Sequence, residues 1–131
     1  MIYEKKGHKI KKILLAAGQS KRFGDKNKLS AMINGKPIIN HILDTLFEIY
    51  DPSELIVIVG YEHKIIKNLI FNKDIKILEN INYKKGIGTS IALGIHNLDS
   101  EIDGVMIIPA DMPYINSKDL INLEKKFMEL N

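Results

Sequence analysis

The sequence predicts an α/β fold: a three-layer α/β/α, Rossmann-like domain on a mainly parallel sheet. Three observations predict it. Apolar runs of strand length recur along the chain, at Ile13–Ala17, Leu55–Val59 and Val105–Ile108, with a shorter segment, Ile75-Lys76-Ile77-Leu78, between the last two. The strongest are continuous rather than alternating, the mark of a strand buried on both faces. Segments with apolar residues at helical spacing separate them, which implies right-handed crossovers between parallel strands. Two of the runs stop at a glycine, Gly18 and Gly60. Ligands of such sheets gather outside the carboxyl ends of the strands. That rule singles out Gly18 to Lys28, Gly60-Tyr61, and Ala110-Asp111-Met112-Pro113.

Taken in order, residues 1–9 read as a frayed arm and Ile10–Ala17 as the first strand. Ala31-Met32-Ile33 is a short extended piece followed by a turn at Asn34-Gly35-Lys36-Pro37. Pro37 suits a first helical turn. Ile38, Ile39, Ile42, Leu43, Leu46 and Phe47 then share one helix face. Asp51-Pro52-Ser53 ends that helix, and Leu55–Val59 is the second strand. Ile65, Ile66, Leu69 and Ile70 mark a second helix, which leaves through Asn72-Lys73-Asp74 to a third strand, Ile75–Leu78. A loop from Glu79 leads to a helix starting near Gly88, with Ile91, Ile95 and Leu98 inward. Asp99 to Asp103 is a polar turn before the fourth strand. Ser117 is the expected N-cap of a last helix carrying Leu120, Leu123, Phe127 and Leu130. Without a repeat, linker or low-complexity tract, residues 1–131 are read as one domain.

Composition narrows the function. The chain has 131 residues, 45% hydrophobic and 27% charged, ordinary values for a globular protein. No apolar run approaches the eighteen or so residues of a membrane span. The basic N-terminus is not followed by a secretory apolar segment ending in small residues. The absence of cysteine excludes disulfides, thiol catalysis and Cys-ligated metal, and the default setting is cytoplasmic. A net charge of +3 is too small to imply nucleic acid, and no RNA-binding aromatic signature is present. The basic excess is read as serving a small phosphate-bearing ligand and a solvated surface, where Lys5, Lys6, Lys9, Lys11 and Lys12 are placed.

Three stretches carry candidate chemistry. After Ala17 the chain turns small, polar and cationic: Gly18, Ser20, Lys21, Arg22, Gly24, Lys26, Lys28. A glycine turn at the end of a parallel strand presents backbone N–H groups, and the cations add positive charge, which suits a polyanion such as a nucleoside triphosphate. The spacing is neither GxGxxG nor Walker A; the same composition also suits a solvated lysine loop. Arg22 is the only arginine, and its planar fork favours bidentate phosphate contact. The second stretch is Asn80 to Ser90. There Gly86 and Gly88 permit close approach, while Thr89 and Ser90 open a helix with free N–H groups; an ordinary capped loop is the alternative. In the third, Asp111 ends a buried strand between Pro109 and Pro113, placed to hold Mg²⁺ against phosphate oxygens or to make an Asx turn. Asp99, Glu101 and Asp103 imitate the start of an EF-hand, but the twelfth position is Ala110 and a strand runs through it. His8, His41, His63 and His96 have no metal-ligand spacing and are read as surface or helix-edge residues.

Leu15 to Leu29 resembles the L-A-A-G-x-S-x-R-[FM]-G-x-x-K-L signature of nucleotidyltransferases with an N-terminal Rossmann-like half. Asn80 to Ser90 is similar to the N-x-x-[YW]-x-x-G-[MLI]-x-[TS]-S motif of the molybdenum cofactor cytidylyltransferase group. Ile108 to Pro113 resembles that family's G-D-M-P segment, with Ala110 in the glycine's place. The guanylyltransferases of the superfamily usually read L-A-G-G where this chain has Leu15-Ala16-Ala17-Gly18, so the resemblance favours cytosine. It implies transfer of CMP from CTP to a phosphate-bearing acceptor, the phosphate of molybdopterin, with pyrophosphate leaving. Arg22, Lys28 and Asp111 would be catalytic, with Asp111 holding Mg²⁺. Leu15, Ala16, Ala17, Gly18, Ser20, Arg22, Lys28, Asn80, Gly86 and Ser90 would bind the nucleotide. Asn80, Gly86 and Ser90 would read or support the base. The resemblance runs from Lys12 to about Pro113 and stops before the family's second metal-binding Asp, so a C-terminal truncation is expected. Alternatives are a guanylyl-, sugar-phosphate or methylerythritol-phosphate transferase, a non-catalytic nucleotide-binding module, or an interaction domain that keeps only the fold.

Overall fold

Leu14, near the middle of the first strand, lies in register between Val57 on one side and Ile108 on the other. The computed structural model describes residues 9–19, 27–72 and 74–130. In chain order these form β1 (Ile10–Ala16), β2 (Met32–Ile33), β3 (Lys36–Pro37), α1 (Ile38–Ile49), β4 (Leu55–Val59), α2 (His63–Leu69), β5 (Lys76–Glu79), α3 (Ile87–His96), β6 (Gly104–Pro109) and α4 (Ser117–Glu129). The main sheet has the order β5-β4-β1-β6, every pair parallel. The chain steps one way from β1 to β4 to β5, then crosses back over two strands to place β6 against β1. The carboxyl ends of β1 and β6 therefore lie side by side where the direction reverses, the place where such sheets bind ligands. Among the described residues, no helix is long and apolar enough to cross a membrane.

Period-two alternation in the strands divides the core. Ile10, Leu14 and Ala16 of β1 join Leu55, Val57, Val59 and Ile108 beneath α1, α2 and α4. Ile13, Ile56 and Ile58 face the other way and pack with Leu93, Leu98 and Ile107 under α3. Three layers result. The β2–β3 piece is a hairpin whose two turn residues, Asn34 and Gly35, both have positive φ, as a two-residue type I′ loop requires. Pro37 stands just before α1 rather than inside its first turn.

Several inward faces differ from the sequence prediction. In α3 the buried residues are Ser90 and Gly94, while Ile95 is exposed. The cause is close approach to β1: a Cβ on Gly94 would lie 2.8 Å from Ile13 Cδ1, so the smallest side chain faces the sheet. In α2, Ile66 is buried and Ile65 exposed. In α4, Asn116 supplies the N-cap, accepting the Asp119 N–H at 2.8 Å, and Ser117 is the first helical residue. The buried pair there is Leu120 and Glu124, with Leu123 and Leu130 exposed. Phe127 lies over the start of β6, where a Cβ on Gly104 would meet its ring at 2.6 Å.

Glu124 is inward because Lys12 is. The reading of Lys12 as solvated charge is overturned: it is fully buried in β1, on the face shared with Ile10 and Leu14. Its Nζ lies 2.6 Å from Glu124 Oε1 and 3.1 Å from Glu54 Oε1, and it donates to the Ile10 carbonyl at 2.9 Å. It also sits 3.9 Å from the centre of the Tyr50 ring, a cation–π contact. A buried charge needs this degree of compensation to stay charged.

The Asp99–Asp103 segment is a turn that holds the start of β1. The Lys9 backbone N–H donates to Asp103 Oδ2 at 2.7 Å, and Lys9 Nζ donates to Glu101 Oε2 at 2.9 Å. That hydrogen bond holds Lys9 above the usual lysine range and Glu101 below the usual carboxylate range. Asp51 is also held low, by the Ser53 N–H of its capping box. His41 is half-buried, its Nε2 2.7 Å from the Ile33 carbonyl, and so links α1 to the hairpin. His8 lies outside the described residues.

Candidate nucleotide-binding cavity

A cavity of about 430 Å³ opens at the carboxyl end of the sheet. One wall is the exit from β1, Leu15 to Gln19, continued by Asn27, Lys28 and Leu29. The opposite wall is Tyr83, Lys84, Gly86, Ile87 and Ser90, at the N-terminal end of α3. Pro109 and Asp111 close the side next to β6. The structure thus brings together Leu15, Ala16, Ala17, Gly18, Lys28, Gly86, Ser90 and Asp111 from the predicted set. Ser20 and Arg22 lie outside the described residues.

Each wall has a local reason. Asn27 is buried, and its side-chain oxygen accepts the Leu29 N–H at 2.9 Å. This caps the single 3₁₀ turn Lys28–Ser30 and starts it at Lys28, beside the cavity. Gly86 has φ +113°, a conformation open to glycine, and it turns the chain into α3. The first amides of α3, at Ile87 and Gly88, have no intrahelical acceptor, and the helix end adds partial positive charge. Lys28 Nζ stands 3.8 Å from Asp111 Oδ2, with both side chains partly exposed. A cation and a carboxylate are thereby set at one edge of a pocket whose far end is a helix N-terminus.

Two predicted contributors stand behind the walls. Asn80 does not line the cavity: it is buried, and its carboxamide bonds inward to Asn82, Thr89 and Ser90. It stands behind the wall and holds Thr89 and Ser90 in place. Gly60-Tyr61 is a buttress. The Tyr61 N–H donates to the Ala17 carbonyl at 2.9 Å, and the Tyr61 ring tilts against Tyr83 at 6.1 Å. A Cβ on Gly60 would lie 3.0 Å from the Ala17 carbonyl oxygen and 2.8 Å from Tyr83 Cβ, so only glycine lets the three loops meet. Sequence reasoning gave no site role to Gln19, Asn27, Leu29, Tyr83, Lys84, Ile87 or Pro109, all of which line the cavity. Leu29, Tyr83 and Ile87 fill positions of the quoted motifs and Pro109 flanks Asp111, while Gln19, Asn27 and Lys84 were marked only by membership of the same loops.

Comparison with known proteins places this geometry in a family. Over 123 residues the chain is 32% identical to the bifunctional protein GlmU of Thermosipho africanus, covering 93% of this chain and 26% of that protein. Over 120 residues it is 32% identical to a probable molybdenum cofactor guanylyltransferase of Thermococcus sibiricus, covering 91% of this chain and 56% of that one. The chain thus spans from about a quarter to somewhat over half the length of these relatives. The fold matches the crystal structure of Rv0371c from Mycobacterium tuberculosis with a TM-score of 0.75 at 16% identity, over 92% of this chain and 60% of that one. A second structure of that mycobacterial protein is a complex with manganese. The family model for the MobA-like NTP transferase domain matches residues 12–129, and the chain belongs to that family.

Proposed function

We propose that this domain binds a nucleoside triphosphate in the cavity at the ends of β1 and β6 and serves nucleotidyl transfer to a phosphate-bearing acceptor. The observation that carries the proposal is the meeting of Lys28 and Asp111 across one edge of a pocket walled by the Leu15–Gln19 exit of β1 and a helix N-terminus. In the transfer, an acceptor phosphate oxygen bonds to the α-phosphorus of the triphosphate. The bond from that phosphorus to the bridging oxygen breaks, and pyrophosphate leaves. Such chemistry needs positioning and charge stabilisation rather than a protein nucleophile. The Gly18 turn and Arg22 are assigned to the β- and γ-phosphates, and Lys28 to charge developing around the α-phosphate.

Asp111 fits a metal ligand: its carboxylate is half-exposed beside the pocket, a hard oxygen donor facing the region assigned to phosphates. Among the described residues no cluster of three or more potential metal ligands occurs. Mg²⁺ suits a single carboxylate because it keeps several waters and takes phosphate oxygens as ligands. When bound, it would offset phosphate charge.

CTP is the proposed nucleotide, supported by Leu15-Ala16-Ala17-Gly18 and the Gly86–Ser90 loop. Molybdopterin phosphate is the acceptor proposed from the resemblance of those loops. A second reading, GTP, is favoured by the Thermococcus guanylyltransferase relative. A cysteine-free chain of this kind suits the cytoplasm. Calorimetry with CTP, GTP, ATP and UTP in Mg²⁺ tests the proposal. Tight binding of one triphosphate is expected, and binding of none would overturn it.

A further inference from the structure

Asn27 is 3% exposed and precedes Lys28 in the cavity wall. Its side-chain oxygen accepts the Leu29 N–H at 2.9 Å, and its side-chain nitrogen donates to the Tyr61 carbonyl at 3.4 Å. A backbone amide only donates and a carbonyl only accepts, so both partners agree on which end of the carboxamide is oxygen. Among uncharged side chains this short, only asparagine carries a donor and an acceptor on two separate atoms. An aspartate would set an oxygen against the Tyr61 carbonyl, and a serine would cap the turn without reaching it. Tyr61 is held in its turn, its own N–H donating to the Ala17 carbonyl at 2.9 Å. One residue thus bonds to the exit of β1 through its N–H and to the Lys28 turn through its carbonyl. The Asn27 carbonyl tightens that turn, accepting the Ser30 N–H at 3.2 Å and the Ser30 hydroxyl at 2.9 Å. Lys28 stands between two buried residues, Asn27 and Leu29, with its own side chain partly exposed beside Asp111.

We propose that Asn27 is a positioning residue for nucleotidyl transfer. It ties the turn that presents Lys28 to the exit of β1 by way of Tyr61. This tether sets the place of the Lys28 ammonium relative to a triphosphate held at the strand exit. Without it the turn keeps its sequence and its charge but loses its reference point. A misplacement of about 1 Å at a reacting centre costs on the order of 10²-fold in rate. The inference rests on the nucleoside triphosphate reading of the cavity and adds the residue through which Lys28 is aimed.

The test measures affinity for inorganic tripolyphosphate, CTP and GTP in Mg²⁺ by calorimetry. The proteins are the wild type, Lys28→Ala, Asn27→Ala, Asn27→Ser, and each Asn27 variant combined with Lys28→Ala. Both replacements of Asn27 are neutral, so they leave the charge facing the ligand unchanged. Lys28→Ala is expected to lower affinity about tenfold and Asn27→Ala about fivefold, the scale of one charge-assisted hydrogen bond lost or weakened. In the Lys28→Ala background, Asn27→Ala should lower it no further, since nothing is left to position. Asn27→Ser keeps an oxygen for the Leu29 N–H, so it should melt above Asn27→Ala and yet bind as weakly. A role in stability alone would lower the melting temperature and leave the affinity of the folded protein unmoved. Unmoved affinity in folded Asn27→Ala, multiplying losses in the double variant, or wild-type affinity in Asn27→Ser would overturn the proposal. Lys28→Ala binding as tightly as wild type would do the same. If Asn27→Ala does not fold in a thermal melt, Asn27→Ser and its combination with Lys28→Ala decide by the same criteria. Should the wild type bind none of the three probes, the triphosphate reading falls and this inference with it. Binding that Lys28→Ala weakens and the folded Asn27 variants leave unmoved removes only the inference.

Discussion

Lys28 Nζ and Asp111 Oδ2 lie 3.8 Å apart although they belong to loops at opposite ends of the sequence. The contact follows from strand register. Leu15 of β1 is paired with Pro109 of β6, so the chain leaves both strands at one level. Partly exposed, the pair contributes little to stability, and both groups can exchange this contact for a phosphate or a cation.

For Lys28→Ala, stability should therefore stay within about 0.5 kcal/mol of wild type. If the chain transfers nucleotide, the rate should fall on the order of 10²–10³, the scale for one donor to developing charge. Thermal melting and pyrophosphate release measure the two effects. Turnover surviving within about a factor of three of wild type would make Lys28 a bystander.

Asp111→Asn should weaken CTP binding in Mg²⁺ by roughly tenfold, about 1.4 kcal/mol, and change it little in EDTA. Equal metal dependence in the two forms would remove Asp111 from the metal site.

Nucleotide preference separates the two readings of the base. CTP should bind at least roughly tenfold tighter than GTP. A thermal-shift series in which GTP stabilises more than CTP at equal concentration would decide for the guanine reading.

Lys12→Met should cost about 3–5 kcal/mol, because Glu124 would remain buried without its cation. The double replacement Lys12→Met with Glu124→Leu should recover much of that loss. Urea unfolding measures both, and a single variant as stable as wild type would show that Lys12 is not charged in the fold.

What could be read from the sequence was what local pattern determines. The runs around Leu14 and Val57 marked the two central strands because nothing polar interrupts them for several residues, and the shorter run around Ile107 marked the edge strand β6. Helix α1 was equally plain, since Ile38, Ile39, Ile42, Leu43 and Leu46 repeat at helical spacing and all are buried. Lys12 was not legible. Its counter-charge Glu124 lies on the last helix, and a lysine beside Lys11 looks the same whether it faces solvent or a sheet face. The faces of α3 and α4 were misjudged for a related reason: Gly94 and Glu124 are chosen by Ile13 and Lys12 across a layer, which no period within the helix records. In the cavity, glycines and charged residues advertised the Gly18, Gly86 and Asp111 segments. The part played by Asn80 depends on which way a carboxamide turns, and Gly60-Tyr61 supports the loops instead of lining them.

The ion pair between β1 and α4 also governs which parts of the molecule can open alone. Fraying of α4 would leave the Lys12 ammonium in an apolar layer without the Glu124 carboxylate, so the helix is not free to detach on its own. Amide exchange in α4 around Glu124 should then follow that of β1 instead of running ahead of it. The strand that emerges at Gly18 and α4 would exchange as one cooperative unit, joined through a contact in the interior of the sheet layer and not through the cavity.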